Sequence, residues 1–311
     1  MESIQMKLDT LPLVSVIAIC HGHKNYVIQT LESIRNQNYP NLEFLIINNL
    51  KDDCEKIIEN WIYENKVKCL FIQNEKPKSL VSNLNFGIER ISGEFFQGIS
   101  CDDILDENKF TAQIELFLKL DHNFAAVYSD MVYIDENGQE LGRRNFDIFP
   151  DAELVKANPV NFLLRSGKVI PAPTLLLKTE IIRKIGGYPK DWIFEDWPLY
   201  LKLAQLGYQF KFIDKNLVFY RVLRGSFGHN QSKESISFCL SIFEKNQWNY
   251  NKNDAFQVSK WFSFVCRMSH YSLWLSLKKL FFFIKYNRIN IKFLIKFIAY
   301  QFKAKKHISI M

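Results

Sequence analysis

The stretch that decides the fold reads EFFQGISCDDILDENKF and occupies positions 94–110. A short apolar run ends at Ser100, two adjacent carboxylates follow, and helix-forming residues begin within about one turn. This order predicts a buried strand that ends just before Asp102 and Asp103. Open α/β sheets bind ligands at the carboxyl edge of their strands, so both carboxylates are placed for a metal ion or a polar substrate. Alternatively, one of them only caps a helix beginning near Asp106, because aspartate is a favoured N-cap.

The residues before this stretch alternate between strand and helix patterns. Apolar, β-branched segments predict strands, and each is followed by a segment with helical periodicity. Short connections between such segments produce right-handed βαβ units and a parallel sheet. Residues 1–103 are therefore expected to form a nucleotide-binding half-domain. Its predicted strands are 13–19, 42–47, 67–72 and 95–99, and its predicted helices are 26–37, 54–64 and 79–91.

Beyond Asp103 strand and helix patterns no longer alternate regularly, and we assign residues 104–232 to a second half-domain. The residues DENG at 135–138 predict a hairpin turn. A Gly-Gly pair at 186–187 is expected to end a short helix, and Pro198 to lie in the first turn of another, where its missing N–H costs little. The predicted helices are 110–118, 180–185 and 199–206, and the predicted strands are 125–128, 131–134, 174–177, 209–213 and 217–220.

The composition is that of a folded protein. The 311 residues are 48% hydrophobic and 23% charged, enough to bury the core of one large α/β domain with an appendage. The six cysteines show no C-x-x-C spacing, which predicts reduced thiols rather than a zinc site or a disulfide framework. The first residues lack a long apolar core before a cleavage site, so no secretory signal is evident and a cytoplasmic location is expected.

The net charge of +7 is distributed unevenly along the chain. Residues 256–311 contain no Asp or Glu and eleven Lys or Arg, so subtracting these charges leaves residues 1–255 with a net charge of −4. A mildly acidic body is not a nucleic-acid-binding surface, and no nucleic-acid partner is expected. The basic segment belongs to a helical C-terminal extension, residues 233–311.

Within this extension, residues 277–302 have the pattern of an amphipathic helix. No uncharged apolar run approaches 18 residues, so a transmembrane span is not expected. A cationic aromatic helix suits an anionic membrane, and we expect residues 277–306 to associate peripherally with the inner face of the cell membrane. The alternative is that the apolar side packs on the body or on another subunit, giving a homo-oligomer. Lys278, Lys285, Lys292, Lys296 and Lys303 are expected on one side, opposite Leu280, Phe281, Ile284, Ile291, Ile295, Ile298 and Phe302.

Several local patterns occur in one order, and together they resemble the inverting family 2 glycosyltransferases with the GT-A fold. The resemblance covers roughly residues 13–232. It rests on VSVIAIC (14–20), LESIRNQNYPNLE (31–43), NFGI (85–88), SGEF (92–95), DDIL (102–105), IGGY (185–188), EDW (195–197) and FYR (219–221).

The resemblance implies an enzyme that moves a sugar from a nucleotide-diphosphate donor to an acceptor hydroxyl, with inversion. A divalent ion, Mn²⁺ or Mg²⁺, would stabilise the leaving diphosphate, and such ions prefer oxygen ligands. Asp102 is the expected direct ligand, Asp103 is expected to help hold the donor's ribose or the ion, and His229 is a candidate additional ligand from a loop. The expected donor-binding residues are Ile19, His21, Asn48, Asn49, Asn85, Asp102, Arg221 and Arg224.

Asp196 matches the base that takes the proton of the acceptor hydroxyl. The alternative is that Glu195 and Asp196 are only favourable acids in the first turn of a helix. Arg221 and Arg224 could clamp the diphosphate, since guanidinium groups match phosphate oxygens, although Arg224 could equally be solvated charge. His229 could likewise be an ordinary surface residue.

The sequence departs from the family pattern in three places. His21-Gly22 replaces a Tyr-Asn pair, Asn48-Asn49 replaces an Asp-Asp pair, and Ser100 stands where a fuller motif has a further carboxylate. An amide accepts a hydrogen bond but brings no charge, so uridine specificity is not assumed. The acceptor is expected to be a lipid-linked oligosaccharide of a bacterial surface polysaccharide. The competing class is a non-catalytic scaffold subunit with the same shape.

Overall fold

The computed structural model describes residues 11–145, 170–190 and 195–223, together with 265, 266, 268, 272–285, 295 and 298. These residues divide into two compact units. The first contains the described residues up to 223, and the second contains those from 265 onward. The predicted boundary between 232 and 233 lies outside the described residues, as do Arg224 and His229.

The first hundred residues form the predicted alternation of strands and helices. Every apolar segment assigned to a strand forms one, and every periodic segment assigned to a helix forms one, with ends that differ by a few residues. The elements are β1 (Val14–Cys20), α1 (Val27–Arg35), β2 (Leu42–Asn48), α2 (Cys54–Asn65), β3 (Cys69–Gln73), α3 (Leu80–Ile88) and β4 (Phe95–Ser100).

The second half of this unit contains longer strands than the pattern predicted. The segments 125–128 and 131–134 form one strand, as do 209–213 and 217–220. These two long strands pair in parallel over most of their length. The polar residues near Asp130, which the sequence pattern placed between two strands, lie within this pairing, where its register is irregular. The elements are β5 (Ile104–Leu105), α4 (Lys109–Phe117), β6 (Phe124–Ile134), β7 (Glu140–Arg144), β8 (Leu175–Lys178), α5 (Thr179–Lys184), α6 (Asp196–Gln205) and β9 (Gln209–Arg221).

The nine strands of the described residues belong to one mixed sheet. Its order is β3-β2-β1-β4-β8-β6-β9-β5, and β7 pairs with β6. The four strands of the first half are parallel, as predicted. Strand β8 is antiparallel to both β4 and β6, and it joins the parallel half to the second half.

Strand β1 lies at the centre of the parallel half and is buried on both faces. Ile17 and Ile19 pack with residues of α3, α5 and α6, whereas Val16 and Ala18 pack with residues of α1, α2 and α4. Side chains alternate between the faces of a strand, so helices on both sides of the sheet need a strand that is apolar throughout.

The turn after β4 does not lead directly into a helix. Asp102 and Asp103 are followed by β5, which pairs with β9, and α4 starts only at Lys109 with Asn108 as its N-cap. The interpretation of the two aspartates as caps of a helix near Asp106 is therefore wrong.

Three predictions about a hairpin, a helix end and a helix start are confirmed. Asp135 and Gln139 close the hairpin between β6 and β7 by a backbone hydrogen bond of 2.9 Å. Gly186 and Gly187 follow α5 with φ angles of 84° and 76°, a region that favours glycine. Pro198 lies in the first turn of α6.

In the second unit, α7 (Leu273–Lys285) falls partly in the predicted amphipathic segment. Leu280 is completely buried, whereas Phe281 is 55% exposed. Lys278 is exposed as well. The prediction that Leu280 and Phe281 share one side opposite Lys278 is therefore wrong for these three residues. Among the described residues, no helix is long and apolar enough to cross a membrane.

Candidate active site

The carboxyl ends of three neighbouring strands bring the predicted donor-site residues to one edge of the sheet. Cys20 of β1 is in register with Asn48 of β2, and Ile19 is in register with Ser100 of β4. The segments that follow these strands therefore start side by side. Ile19 itself is buried and packs in the core.

Asp102 and Asp103 point in different directions. Asp103 is 3% exposed, and its Oδ1 accepts a hydrogen bond of 2.9 Å from the backbone N–H of Arg221. Burial, followed by the Asp102 charge, raises the pKa of Asp103 well above its usual range. The Asp102 side chain is 15% exposed and reaches the edge of the sheet. Asp103 thus fastens the turn, and Asp102 is the carboxylate that a ligand can reach.

Arg221 is a buried structural residue, only 1% exposed. Its Nε donates to the Asp102 carbonyl at 2.9 Å, and its Nη2 donates to Gln29 Oε1 at 2.7 Å. Its Nη1 donates to the carbonyls of Asp135 and Glu136 at 3.0 and 3.1 Å. Four of the five guanidinium N–H donors are thus used by protein oxygens. This geometry differs from the expected diphosphate clamp.

His23 is a site residue that the sequence reasoning missed. Its Nε2 lies 3.9 Å from Asp102 Oδ2, and its side chain is 18% exposed. Burial lowers the pKa of His23, and the Asp102 charge opposes this effect. Its position three residues beyond a fully buried strand was an available signal, since that is where ligand-binding residues of such sheets collect.

Asn49 is held by its surroundings in one orientation. Its Oδ1 accepts hydrogen bonds from the backbone N–H of Lys78 and from Asn74 Nδ2, both at 2.9 Å. Its Nδ2 donates to the Lys78 carbonyl at 2.9 Å and lies 3.3 Å from His21 Nδ1. Because an amide nitrogen only donates, this contact is a hydrogen bond when His21 Nδ1 accepts, that is, when the imidazole proton is on Nε2.

Asn48 and Asn85 also bond protein groups, and the buried Oδ1 of Asn48 has no hydrogen-bond partner among the described residues. Asn48 is fully buried, and its Nδ2 donates to Gln73 Oε1 at 2.9 Å. Asn85 bonds both backbone groups of Tyr188, accepting its N–H at 2.8 Å and donating to its carbonyl at 2.9 Å. A Cβ at Gly187 would collide with the Asn85 Oδ1, which explains the glycine. Asn85 therefore connects α3 to the turn after α5.

Asp196, the predicted base, is the first residue of α6, and Glu195 is its N-cap. Burial and the neighbouring Asp196 charge raise the pKa of Glu195 to about 8. The pKa of Tyr220 is raised by burial and then by the charges of Asp103, Asp102 and Asp196. The charges of the two carboxylates that follow β4 and of Asp196 in α6 thus act in the same direction on the Tyr220 phenol.

The described residues fit a divalent ion whose ligands come mainly from the substrate and from water, with few from the protein. Among them, no group of three or more His, Cys, Asp and Glu side chains could hold a metal ion. Asp102 offers an accessible carboxylate, and Mg²⁺ sites commonly use one or two carboxylates with substrate phosphates and water. Asp102 would be the protein ligand in such a site, and the ion would stabilise negative charge on a leaving group.

This arrangement, a parallel half joined to a mixed half with two carboxylates after β4, is that of the GT-A fold of sugar-transferring enzymes. A family model, glycosyl transferase family 2, matches residues 15–174, just over half of the chain. The chain belongs to this family.

Relatives in sequence support this assignment. The chain is 29% identical over 206 residues to an uncharacterised glycosyltransferase of Rickettsia typhi, and these residues span 65% of this chain and 62% of that protein. It is 25% identical over 202 residues to the O-antigen biosynthesis glycosyltransferase WbnJ of Escherichia coli, spanning 64% and 74%. The chain therefore spans less than two thirds of the length of the Rickettsia typhi relative.

Solved structures show the same fold. The mannosyltransferase PcManGT from Pyrobaculum calidifontis, in complex with GDP-Man and Mn²⁺, has a TM-score of 0.61 at 14% identity and covers 95% of this chain and 88% of its own. S. aureus TarS 1–349, in complex with UDP-GlcNAc, has a TM-score of 0.58 at 17% identity and covers 82% of this chain and 72% of its own. The predicted GT-A fold is confirmed.

Proposed function

We propose that this protein transfers a sugar from a nucleotide-diphosphate donor to an acceptor hydroxyl, with inversion at the anomeric carbon. The observation that carries the proposal is the position of Asp102. Its carboxylate lies at the edge where β1, β2 and β4 end together, in a chain of family 2. Ligands of open α/β sheets bind at this edge.

Asp102 is the proposed ligand of Mn²⁺ or Mg²⁺. The ion would stabilise the charge that develops on the leaving diphosphate. Arg221 and Asp103 hold the turn that presents this carboxylate, since Arg221 bonds the Asp102 carbonyl and Asp103 accepts from the Arg221 backbone. Their proposed role is to position Asp102. Arg224 and His229 stay candidates for contact with the diphosphate and the metal.

Asp196 is the proposed base. It accepts the proton of the acceptor hydroxyl on the face of the sugar opposite the leaving group, as inversion requires. A carboxylate is suited to this step when it is ionised and within hydrogen-bond reach of the hydroxyl. Glu195, with a pKa of about 8, holds its proton at neutral pH and leaves the charge to Asp196.

We propose the segment around His21 and Asn49 as the binding site for the nucleoside. Asn49 fixes the His21 ring with Nε2–H as its donor, whereas the side chain of Asn49 itself is occupied by protein groups. The two solved relatives hold different nucleotides, UDP-GlcNAc and GDP-Man. We therefore assign no base to the donor of this protein.

The proposed acceptor is a lipid-linked oligosaccharide at the inner face of the cell membrane. The name of the E. coli relative, an O-antigen biosynthesis enzyme, supports a surface polysaccharide. The eleven basic residues and absence of acids in residues 256–311 support contact with an anionic membrane.

Thermal stability with nucleoside diphosphates tests the metal site. Ligand bound to the folded state stabilises it by about 2.7 kcal/mol at 100 times the Kd. UDP or GDP should raise Tm only with Mn²⁺ or Mg²⁺, and Asp102→Ala should abolish the rise. Glu107→Ala, which removes an exposed carboxylate from the loop between β5 and α4, is the matched control and should keep the rise in Tm. If no nucleotide stabilises the wild-type protein with metal, the chain is a scaffold without a working donor site.

A further inference from the structure

Helix α7 carries three exposed side chains in line. Trp274 is 70% exposed and Phe281 is 55% exposed, and the exposed Lys278 lies between them. Spacings of four and three residues place these side chains on one face of a helix. We call this the aromatic–lysine face. A large exposed aromatic pair on one face is the type of surface that marks an interaction site.

The packing of α7 within its own unit uses another face. Ser276 and Leu280 are completely buried, and the Ser276 hydroxyl donates to the Ser272 carbonyl at 3.1 Å. Ser276 lies roughly opposite Trp274 and Phe281 around the helix, and Leu280 lies about 100° from Phe281. Among the described residues of the second unit, this packing therefore does not cover the aromatic–lysine face.

The charges around this face select its partner. The Lys278 ammonium lies 5.1 Å from the centre of the Trp274 ring, so the basic and aromatic groups act at the same place. Residues 256–311 carry eleven positive charges and no carboxylate. A second copy that paired through this same segment would bring like charges against it and be repelled, whereas a surface of anionic headgroups is attracted. Tryptophan and phenylalanine bury their rings at the boundary of headgroups and acyl chains.

We propose that the aromatic–lysine face of α7 docks on an anionic lipid surface, with the helix in the plane of the membrane. The inference rests on the proposed function, in which the acceptor is lipid-linked, and it deepens that function by naming the contact. Trp274 precedes the segment 277–306 that the sequence indicated. In this geometry aromatic rings and lysine enter the interface together, from one side of the helix.

Vesicle binding tests this contact with the full chain. Sedimentation with vesicles of phosphatidylcholine containing 30% phosphatidylglycerol is compared with sedimentation with pure phosphatidylcholine. The wild-type protein should bind the anionic vesicles at least tenfold more tightly. The double variant Trp274→Ala/Phe281→Ala should lose at least tenfold of this affinity, and Lys278→Glu should lose several-fold. Tyr63→Ala removes an 85% exposed aromatic side chain from α2 of the other unit and should bind as the wild type does.

Three results would overturn the inference. The first is equal binding of the double variant and the wild type, and the second is equal binding to neutral and anionic vesicles. The third is a dimer in analytical ultracentrifugation that the double variant abolishes, which would assign the face to a second copy. Metal-dependent stabilisation by nucleotide is measured without vesicles, so its failure removes the proposed function, whereas failure of vesicle binding alone removes only this inference.

Discussion

Asn49 shows at the scale of one residue why an amide stands where the family has a carboxylate. It donates to one backbone carbonyl and accepts one backbone N–H of the same residue, Lys78. A carboxylate can accept but cannot donate. The same amide also sets the tautomer of His21, so two departures from the family pattern, at positions 21 and 49, are physically coupled.

Asn49→Asp should therefore destabilise the fold. The Lys78 carbonyl would lose its donor and a charge would be placed at a site only 5% exposed, a cost of about 1–3 kcal/mol. His21 should shift its proton toward Nδ1, where the new carboxylate accepts it. Urea unfolding measures the first effect, and ¹⁵N chemical shifts of the imidazole measure the second. Asn137→Asp, at an exposed turn position, is the control. An Asn49→Asp protein with unchanged stability and an unchanged His21 tautomer would contradict the account.

Glu195 predicts a dependence of stability on pH. Its pKa is raised from 4.5 to about 8, so the folded state keeps this proton at pH values where the unfolded chain has released it. This group therefore makes the free energy of unfolding fall as the pH rises from about 4.5 to about 8. Glu195→Gln should remove that contribution, and its Tm should decline less than that of the wild type between pH 5 and 8.

The control for this prediction is Glu59→Gln, at an exposed position of α2. Its Tm should follow the wild-type curve at every pH. A Glu195→Gln protein whose Tm declines in parallel with the wild type would show that the Glu195 carboxyl is not held neutral by its surroundings.

A residue of the site can be predicted from the sequence when a local pattern alone places it there. Asp102 and His21 follow buried strands directly, so the strand pattern alone places them at the sheet edge. His23 acquires its role from a side-chain direction, and Arg221 from contacts with residues up to 192 positions away in sequence. Neither a direction nor a distant contact is visible in a local pattern, which is why Arg221 was expected to face a diphosphate.

At the scale of elements, the carboxyl end of β9 secures the aspartate turn. β5 pairs with β9 through Ile104 and Phe219, and the Arg221 side chain then ties the turn to the hairpin after β6 and to α1. β9 itself is long and continuous, because it stays paired with β6 on both sides of Asp214–Asn216. The sequence pattern divided it at Asp214–Asn216, because polar residues that continue a paired strand resemble those of a turn.

Arg221→Lys should weaken the contacts that hold the Asp102 turn in place. A lysine ammonium cannot match four guanidinium hydrogen bonds, and each buried acceptor left without a donor costs about 1–3 kcal/mol. We expect lower stability and, because the Asp102 turn shifts, a higher Mn²⁺ concentration for half-maximal stabilisation by nucleotide. Arg35→Lys, an exposed pair with Glu32, is the control.

Both effects are measurable by thermal unfolding at graded Mn²⁺ concentrations. Reduced stability with an unchanged Mn²⁺ midpoint would contradict the positioning role and leave Arg221 as a residue of the core only.

For the whole molecule, the sequence predicted the class of fold more completely than the site. The parallel half follows from apolar segments separated by periodic ones, and charge counting separates an acidic body from a basic extension. The mixed order of the remaining strands follows from long-range pairing, with β8 inserted between β4 and β6. No local pattern specifies that insertion.

The central claim is metal-assisted sugar transfer with Asp196 as the base, and turnover of donors tests it most directly. Uridine, thymidine, guanosine and cytidine sugar nucleotides would be assayed with Mn²⁺, Mg²⁺ or EDTA and with lipid-linked acceptors. We predict that the wild type turns over one donor only with metal. Asp196→Asn should lose at least about 100-fold of this rate, a typical contribution of a general base, yet keep metal-dependent nucleotide stabilisation. Undiminished turnover in EDTA, or in Asp196→Asn, would contradict the account.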